Sequence, residues 1–293
     1  MNALATVSPL IAAIAIAMAA TGLHRRVRPQ LAAALLTGSI VSVAVAVVPT
    51  LVVLAVGYLV HLPMLGDGIE WCRSVLGFHA SVNPWLGATA TCLLAWGSVR
   101  VVRSVRAWRR HHCGEPGEPA VVESDDWFAY SLPGPGQRIA VSSGLVDALD
   151  GDELDVVLAH ERGHARHRHD RHLLAAELAA CFVPPLEWLR RRLRFALERW
   201  ADEEAVNATS GGREHVALTL AKVALGPSDM PANLAAFNGL GVAARVEALL
   251  RPQQLRYEGF WTSAIGFGVI AAGLAAAVQA HHVAALLVTL CPG

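Results

Sequence analysis

Apolar positions gather at the two ends of the chain, and polar ones in its middle. Residues 3–23 are almost wholly apolar and run into His24-Arg25-Arg26-Val27-Arg28. A secretory signal carries its positive charge before the apolar run, whereas here it follows. This pattern predicts a first transmembrane helix with the N-terminus outside and Arg25, Arg26 and Arg28 inside. Residues 31–60 form a second apolar run, longer than the roughly 20 residues a span requires. Tilt, a kink near Pro49 or projection beyond the bilayer are three ways to place the surplus. Residues 61–84 read as a mixed outer loop. Residues 84–102 are the third predicted span, which ends in Arg100, Arg103, Arg106, Arg109 and Arg110. Both basic clusters assign the same orientation. A fourth span is predicted at about 260–280, followed by an outer tail.

Between the third and fourth spans the pattern changes. Gly114-Glu115-Pro116-Gly117-Glu118-Pro119 reads as a linker. Residues 121–130 and 138–141 are expected as short strands around Pro133-Gly134-Pro135-Gly136. Ser142-Ser143-Gly144 leads into a short helix at 145–149. Asp150, with Glu153 three residues on, forms a capping box that opens a helix to about His167. Residues 173–183 are apolar all round but too short to span, so a buried or re-entrant helix near the bilayer surface is expected. Further helices are expected at 186–206, 214–225 and 242–250. Three regions result: residues 1–110 with three spans, a cytoplasmic domain at 111–257, and residues 258–293 with the last span.

Composition fits this division. Hydrophobic residues make up 54% of the 293 positions, charged residues only 16%, and mean hydropathy is +0.42. Soluble domains have about 25% charged residues. The net charge of zero argues against nucleic acid as a partner. The five cysteines form no C-x-x-C pair, so neither a zinc ribbon nor a thioredoxin-like site is indicated. Cys72 and Cys291 both fall outside in this topology; a disulfide and two free buried thiols fit equally well.

The candidate chemistry lies on the capped helix. In His160-Glu161-Arg162-Gly163-His164 the two histidines are four residues apart and so share one helix face. Both imidazoles can reach one metal ion, with Glu161 beside a water bound to it; this is the H-E-x-x-H arrangement of zinc peptidases. A catalytic zinc takes three protein ligands and keeps one position open. Glu198 is the candidate for the third ligand. Glu198, Ala201, Asp202 and Ala205 share a face of the 186–206 helix, and its alanines allow close approach to the motif helix. Asp202 is expected to accept a hydrogen bond from a ligand histidine and fix its tautomer. Asp170 is expected as an outer-sphere or capping acid, and His167, His169 and His172 as polar residues at a helix end. Arg190, Arg191, Arg192 and Arg194 are read as a solvated or headgroup-facing surface.

These residues resemble the membrane-embedded gluzincin metallopeptidases. The likeness rests on His160-Glu161-Arg162-Gly163-His164 with Asp170, on Glu198-x-x-Ala201-Asp202, on residues 128–134 and 139–145, and on Arg245-Val246-x-x-Leu249-Leu250. Two branches are relevant, the HtpX and prenyl-protease type and the BlaR/MecR antirepressor type. The short interval from His164 to Glu198 and the arrangement of spans favour the second. BlaR/MecR sensors continue into a penicillin-binding domain; this sequence ends at Gly293, so no such domain is expected.

The resemblance implies a mainly α integral-membrane protein of four transmembrane helices with an inserted α+β zincin-like domain. It sits in a bacterial-type plasma membrane. One Zn2+ per chain is held by His160, His164 and Glu198, and Glu161 is the general base. Tyr130, His215 and Arg245 are the candidate oxyanion donors. A strand within 121–141 is expected to hold an extended substrate. The implied activity is endopeptidase cleavage at the cytoplasmic face, in regulated proteolysis of a repressor or membrane protein. The implied partners are a peptide or protein substrate, the bilayer, and a separate sensor or repressor. The alternative is a non-catalytic zinc-binding scaffold or signalling protein, for which Glu161 has no purpose.

Overall fold

The computed structural model describes residues 14–15, 17–22, 24–59, 83–112, 120–131, 139–227 and 232–251, with short pieces between 259 and 278. The described residues between 14 and 22 are helical. Eight longer helices and three strands follow. They are α1 (Pro29–Leu59), α2 (Pro84–His112), β1 (Ala120–Val122), β2 (Ala129–Ser131), β3 (Ile139–Ser142), α3 (Ser143–Ala148), α4 (Gly151–Arg166), α5 (His169–Phe182), α6 (Glu187–Ala208), α7 (Gly212–Ala224) and α8 (Ala232–Leu250).

Among the described residues, α1 and Pro84–Arg110 of α2 are long and apolar enough to cross a membrane, by length and composition. Most of the first expected span lies outside the described residues, as do the outer loop, the 114–119 linker, the 133–136 turn, Cys72 and Cys291; the described positions of the fourth, between 260 and 278, are helical. Helix α1 continues unbroken past Pro49. At 1.5 Å per residue it is about 46 Å long, against a hydrocarbon core of about 30 Å. Helix α2 also outruns its expected end at residue 102. Its five arginines continue the helix to His112, since arginine is a good helix former.

The first half of α1 is buried against the polar region. Leu36 and Ile40 are fully buried with Ala176 and Ala180 of α5 and Leu189, Leu193 and Leu197 of α6. Thr37 Oγ1 lies 2.9 Å from His172 Nδ1. Helix α5, expected as a buried short helix, therefore lies in a core shared with α1 and α6. Glu177 of α5 accepts from Arg100 and Ser104 of α2 and pairs with Arg190 of α6.

The expected strand over residues 121–130 is instead two strands on opposite sides of β3. β1 runs parallel to β3 and β2 antiparallel to it, in the order β1-β3-β2. The break has a local cause. Ser124 Oγ accepts from Asp126 N, the Ser124 carbonyl accepts from Gly144 N, and Ser143 Oγ accepts from Ser124 N. These bonds turn the chain at residues 123–128. Gly144 is required here, because a Cβ would stand 2.6 Å from the Asp125 carbonyl oxygen.

Helix α4 opens as expected. Asp150 accepts from Glu153 N at 2.8 Å, and Glu153 accepts from Asp150 N at 3.0 Å. It ends at Arg166, and two residues on Arg168 has a φ of 53°, which places an ordinary side chain in the left-handed region. Such a conformation costs about 1–3 kcal/mol and persists only where the surroundings impose it. The turn lets α5 start at His169, directly over the second motif histidine. Helices α4 and α6 meet at Gly163, where an added Cβ would lie 3.3 Å from Ala201 Cα and 3.2 Å from Glu204 Cβ. Ala201 and Ala205 are fully buried. Helix α8 begins ten residues before its expected start at residue 242.

This contact defines a first expectation. Ala201→Leu overfills the α4–α6 crossing and should destabilise the protein by about 1–3 kcal/mol. It should be read as a lower midpoint of thermal unfolding in detergent. Asn207→Leu, on an exposed position of the same helix, should leave the midpoint nearly unchanged. Equal midpoints for the two variants would contradict the close crossing.

Candidate metal centre

The capped α4 presents His160 and His164, and the alanine face of α6 brings Glu198 against them. The two Nε2 atoms are 3.2 Å apart. Glu198 Oε2 lies 3.5 Å from His160 Nε2, and Glu198 Oε1 lies 3.6 Å from His164 Nε2. Among the described residues these three form the group able to share one metal ion, with all donor atoms within 4.8 Å. Zinc binds nitrogen and oxygen at about 2.0–2.2 Å in a tetrahedron, which separates its ligand atoms by about 3.4 Å. The observed triangle matches that spacing, and the His/His/carboxylate donor set is one that zinc accepts.

Asp202 sits one turn beyond Glu198 and is 2% exposed. Its Oδ1 lies 3.0 Å from His160 Nδ1. A proton on Nδ1 donated to this carboxylate leaves Nε2 free to face a metal. Asp202 is itself held by Arg245 of α8. Arg245 Nε donates to Asp202 Oδ2 at 2.8 Å and Nη2 to Oδ1 at 2.6 Å, while Nη1 pairs with Glu198 Oε2 at 2.9 Å. Arg245, a candidate oxyanion donor by sequence, here orients both acids through a bidentate fork.

His164 is oriented by a residue that spacing alone did not single out. Its Nδ1 lies 2.8 Å from Nδ1 of His169, the fully buried first residue of α5. Trp200 of α6 packs on His167 and His169, with ring centroids 4.5 and 4.9 Å away. The signal available in the sequence was the density of histidines beyond the motif. What it lacked was the left-handed turn at Arg168. Asp170, one residue on, stands in the first turn of α5. Its charge acts on His172, whose pKa burial nonetheless lowers.

Glu161 Oε2 accepts from the backbone N–H of Ser131 at 2.8 Å. Burial raises the Glu161 pKa above the usual carboxylate range, aided by Glu198 and opposed by His160, Ser131 and Arg245. Tyr130 is 46% exposed on β2, its ring stacked on Phe128 at 5.9 Å. His215 is placed elsewhere. It lines a cavity of about 680 Å3 with Asp152, Asp155, Arg162 and Ser210, and the ligand triad does not line it.

The charges of the triad are strongly coupled. Burial opposes protonation of His160, but Asp202 and Glu198 outweigh it and raise its pKa to about 10. Burial also lowers the His164 pKa to about 4, and that of His169 to about 3. Burial pushes the Glu198 carboxyl up, yet His160 and Arg245 hold it well below its ordinary range.

Residues 102–193 match peptidase family M48. The match contains both motif histidines and Glu161 and ends before Glu198. The chain is also similar to proteins named protease HtpX homolog. It is 48% identical to one from Thermoplasma acidophilum over 64 residues, 22% of this chain and 20% of that protein. It is 49% identical to one from Picrophilus torridus over 67 residues, 23% and 20% of the two chains. A third, from Aeropyrum pernix, is 30% identical over 122 residues, 39% and 38% of the two chains. The chain thus spans about a fifth to two fifths of the length of these relatives. No solved structure gives a significant match. The likeness supports an HtpX-type metallopeptidase over the matched stretch.

A pH dependence follows from the His160 charge. Its pKa in the folded, metal-free protein is about 10, above the ordinary 6.5. The stability it contributes is full below about 6.5 and is lost as pH rises through 10. A metal ligand must be deprotonated, so zinc uptake at pH 7 must release this proton. Calorimetric titration of the metal-free protein in two buffers of different ionisation enthalpy should report about one proton per zinc. An enthalpy independent of the buffer would contradict the assignment.

Proposed function

We propose that the protein is an integral-membrane, zinc-dependent endopeptidase that hydrolyses peptide bonds of protein substrates at the cytoplasmic face. The observation that carries this reading is the His160–His164–Glu198 triangle at zinc spacing with Glu161 beside it. The M48 match over residues 102–193 and the HtpX relatives support it.

His160, His164 and Glu198 would hold the metal. Asp202 accepts from His160, His169 faces His164, and Arg245 fixes both acids, so the ligand atoms are placed before any ion arrives. When bound, zinc would supply Lewis acidity to a water and to the scissile carbonyl at that point. Glu161 takes the proton of the attacking water and returns it to the leaving amine.

Substrate is presented by β2. Phe128 O accepts from Ser142 N, which makes the Phe128–Ser142 and Tyr130–Ala140 positions the bonded pairs of the antiparallel ladder. The main-chain groups of Ala129 and Ser131 therefore point away from β3, and Ser131 N–H meets Glu161. An extended peptide added to this edge runs past Glu161, with Tyr130 exposed beside it. Tyr130 is then the remaining candidate donor to the oxyanion, since Arg245 is engaged by Asp202 and Glu198.

The basic clusters at residues 24–28 and 100–110 support a cytoplasmic peptidase region. Within that reading, the physiological role is regulated proteolysis of a repressor or a membrane protein.

Glu161→Gln should lower cleavage of a reporter peptide by at least about 100-fold, while the purified variant still binds one zinc. Full activity in that variant would remove Glu161 from the mechanism. An unaltered cell proteome in the variant would favour a zinc-binding scaffold over a peptidase.

A further inference from the structure

Arg199 follows Glu198 directly on α6 and is almost fully buried, at 9% exposure. Among the described residues, its direct hydrogen-bond partners are main-chain oxygens, not a carboxylate. Nη1 donates to the carbonyl oxygens of His24 at 3.2 Å and Arg25 at 3.3 Å. These carbonyls lie just past the end of the first helix. There His24 N donates to the Ala20 carbonyl at 3.1 Å, and His24 Nδ1 lies 2.6 Å from the Thr21 carbonyl oxygen.

The same connector grips α6 one turn earlier. The His24 ring meets Phe195 edge-on at 6.2 Å, and the Arg25 guanidinium stands over the Phe195 ring at 5.5 Å. His24 is 8% exposed, and Val27 lies in the core with Leu193 and Leu197. Carbonyls at a helix C-terminus carry partial negative charge and lack intrahelical partners. A guanidinium suits them, because its planar donors span two adjacent oxygens. A buried charge is costly to leave unpaired, which makes this contact specific where apolar packing is not.

The consequence concerns Glu198. Phe195 and Arg199 are gripped by the connector, and Glu198 lies between them in sequence on the same helix turn. Fixing the turn about these two side chains fixes the direction from which Glu198 approaches the two histidines. We propose that Arg199 is a positioning residue that ties the third metal ligand to the connector at residues 24–28. The metal site then reaches its full zinc affinity only with the first helix docked on α6. This rests on the metal reading of His160, His164 and Glu198.

The test uses the full chain in detergent micelles. Zinc affinity is measured by competition with a chromophoric chelator, and kcat and KM with a reporter peptide. Arg199→Met should weaken zinc binding about tenfold or more and lower kcat, with KM within about twofold of wild type. Arg199→Lys, which keeps the charge but not the planar fork, should lie between. Phe195→Leu, which removes the ring contacts with His24 and Arg25, should move both values the same way by less. If Arg199→Met does not fold, the other two variants decide. A purely structural role predicts a lower Tm with wild-type zinc affinity and kcat well below that temperature, and this result would overturn the proposal.

Failure of the functional reading is distinguishable. A wild type that binds one zinc without cleaving peptide would refute the peptidase and leave the affinity test intact. A wild type that binds no zinc would refute the metal reading. Hydrogen exchange of amides 194–204 then tests the tie alone: faster exchange in Arg199→Met supports it, and unchanged exchange refutes it.

Discussion

A carboxylate with almost no access to water organises the centre of this molecule. Asp202 joins three helices by charge: His160 on α4, its own α6, and Arg245 on α8. A buried charge of this kind persists only if it is paired and hydrogen-bonded, since desolvation costs several kcal/mol per ion. Both Asp202 oxygens accept from Arg245, and one also meets His160. The same guanidinium reaches Glu198, so the acid beside His160 and the acid that spans both histidines share a cation. Removal of any one member leaves uncompensated charge on the others, which binds ligand geometry to the packing of α4, α6 and α8.

The small residues of α6 have a parallel role. Ala201 and Ala205 occupy the face that meets α4, and Gly163 answers them from the other side. Without a side chain at Gly163, the helices approach until Glu198 spans both histidines. Charge sets direction here and the absence of side-chain volume sets distance.

Much of this was legible in the residues. The capping box placed α4, the four-residue spacing placed the histidines, and the acid–alanine face of α6 placed Glu198 and Asp202 beside them. These are local, periodic signals. The features that escaped depend on contacts between distant segments. The residues from 121 to 130, apolar at both ends, read as one strand, and it took hydrogen bonds between Ser124 and residues 143–144 to divide them. His169 gained its place through a left-handed turn at Arg168, for which a non-glycine residue gives no sequence cue. Arg245 carries a recognisable pattern, but only the return of α8 to α6 shows that its fork is occupied by two acids.

Helix α1 bears on how the chain is divided into domains. Composition separates apolar ends from a polar middle, but the core ignores that border. Leu189, Leu193 and Leu197 of α6 and Ala176 and Ala180 of α5 are buried by Ala32, Ala33, Leu36 and Ile40 of α1. A fragment beginning after the second arginine cluster would expose this leucine stripe to water, with the helix of Glu198 as its carrier. This candidate span is thus part of the interior of the region that carries the His160–His164–Glu198 cluster, and the apolar–polar border of the chain is not its folding boundary.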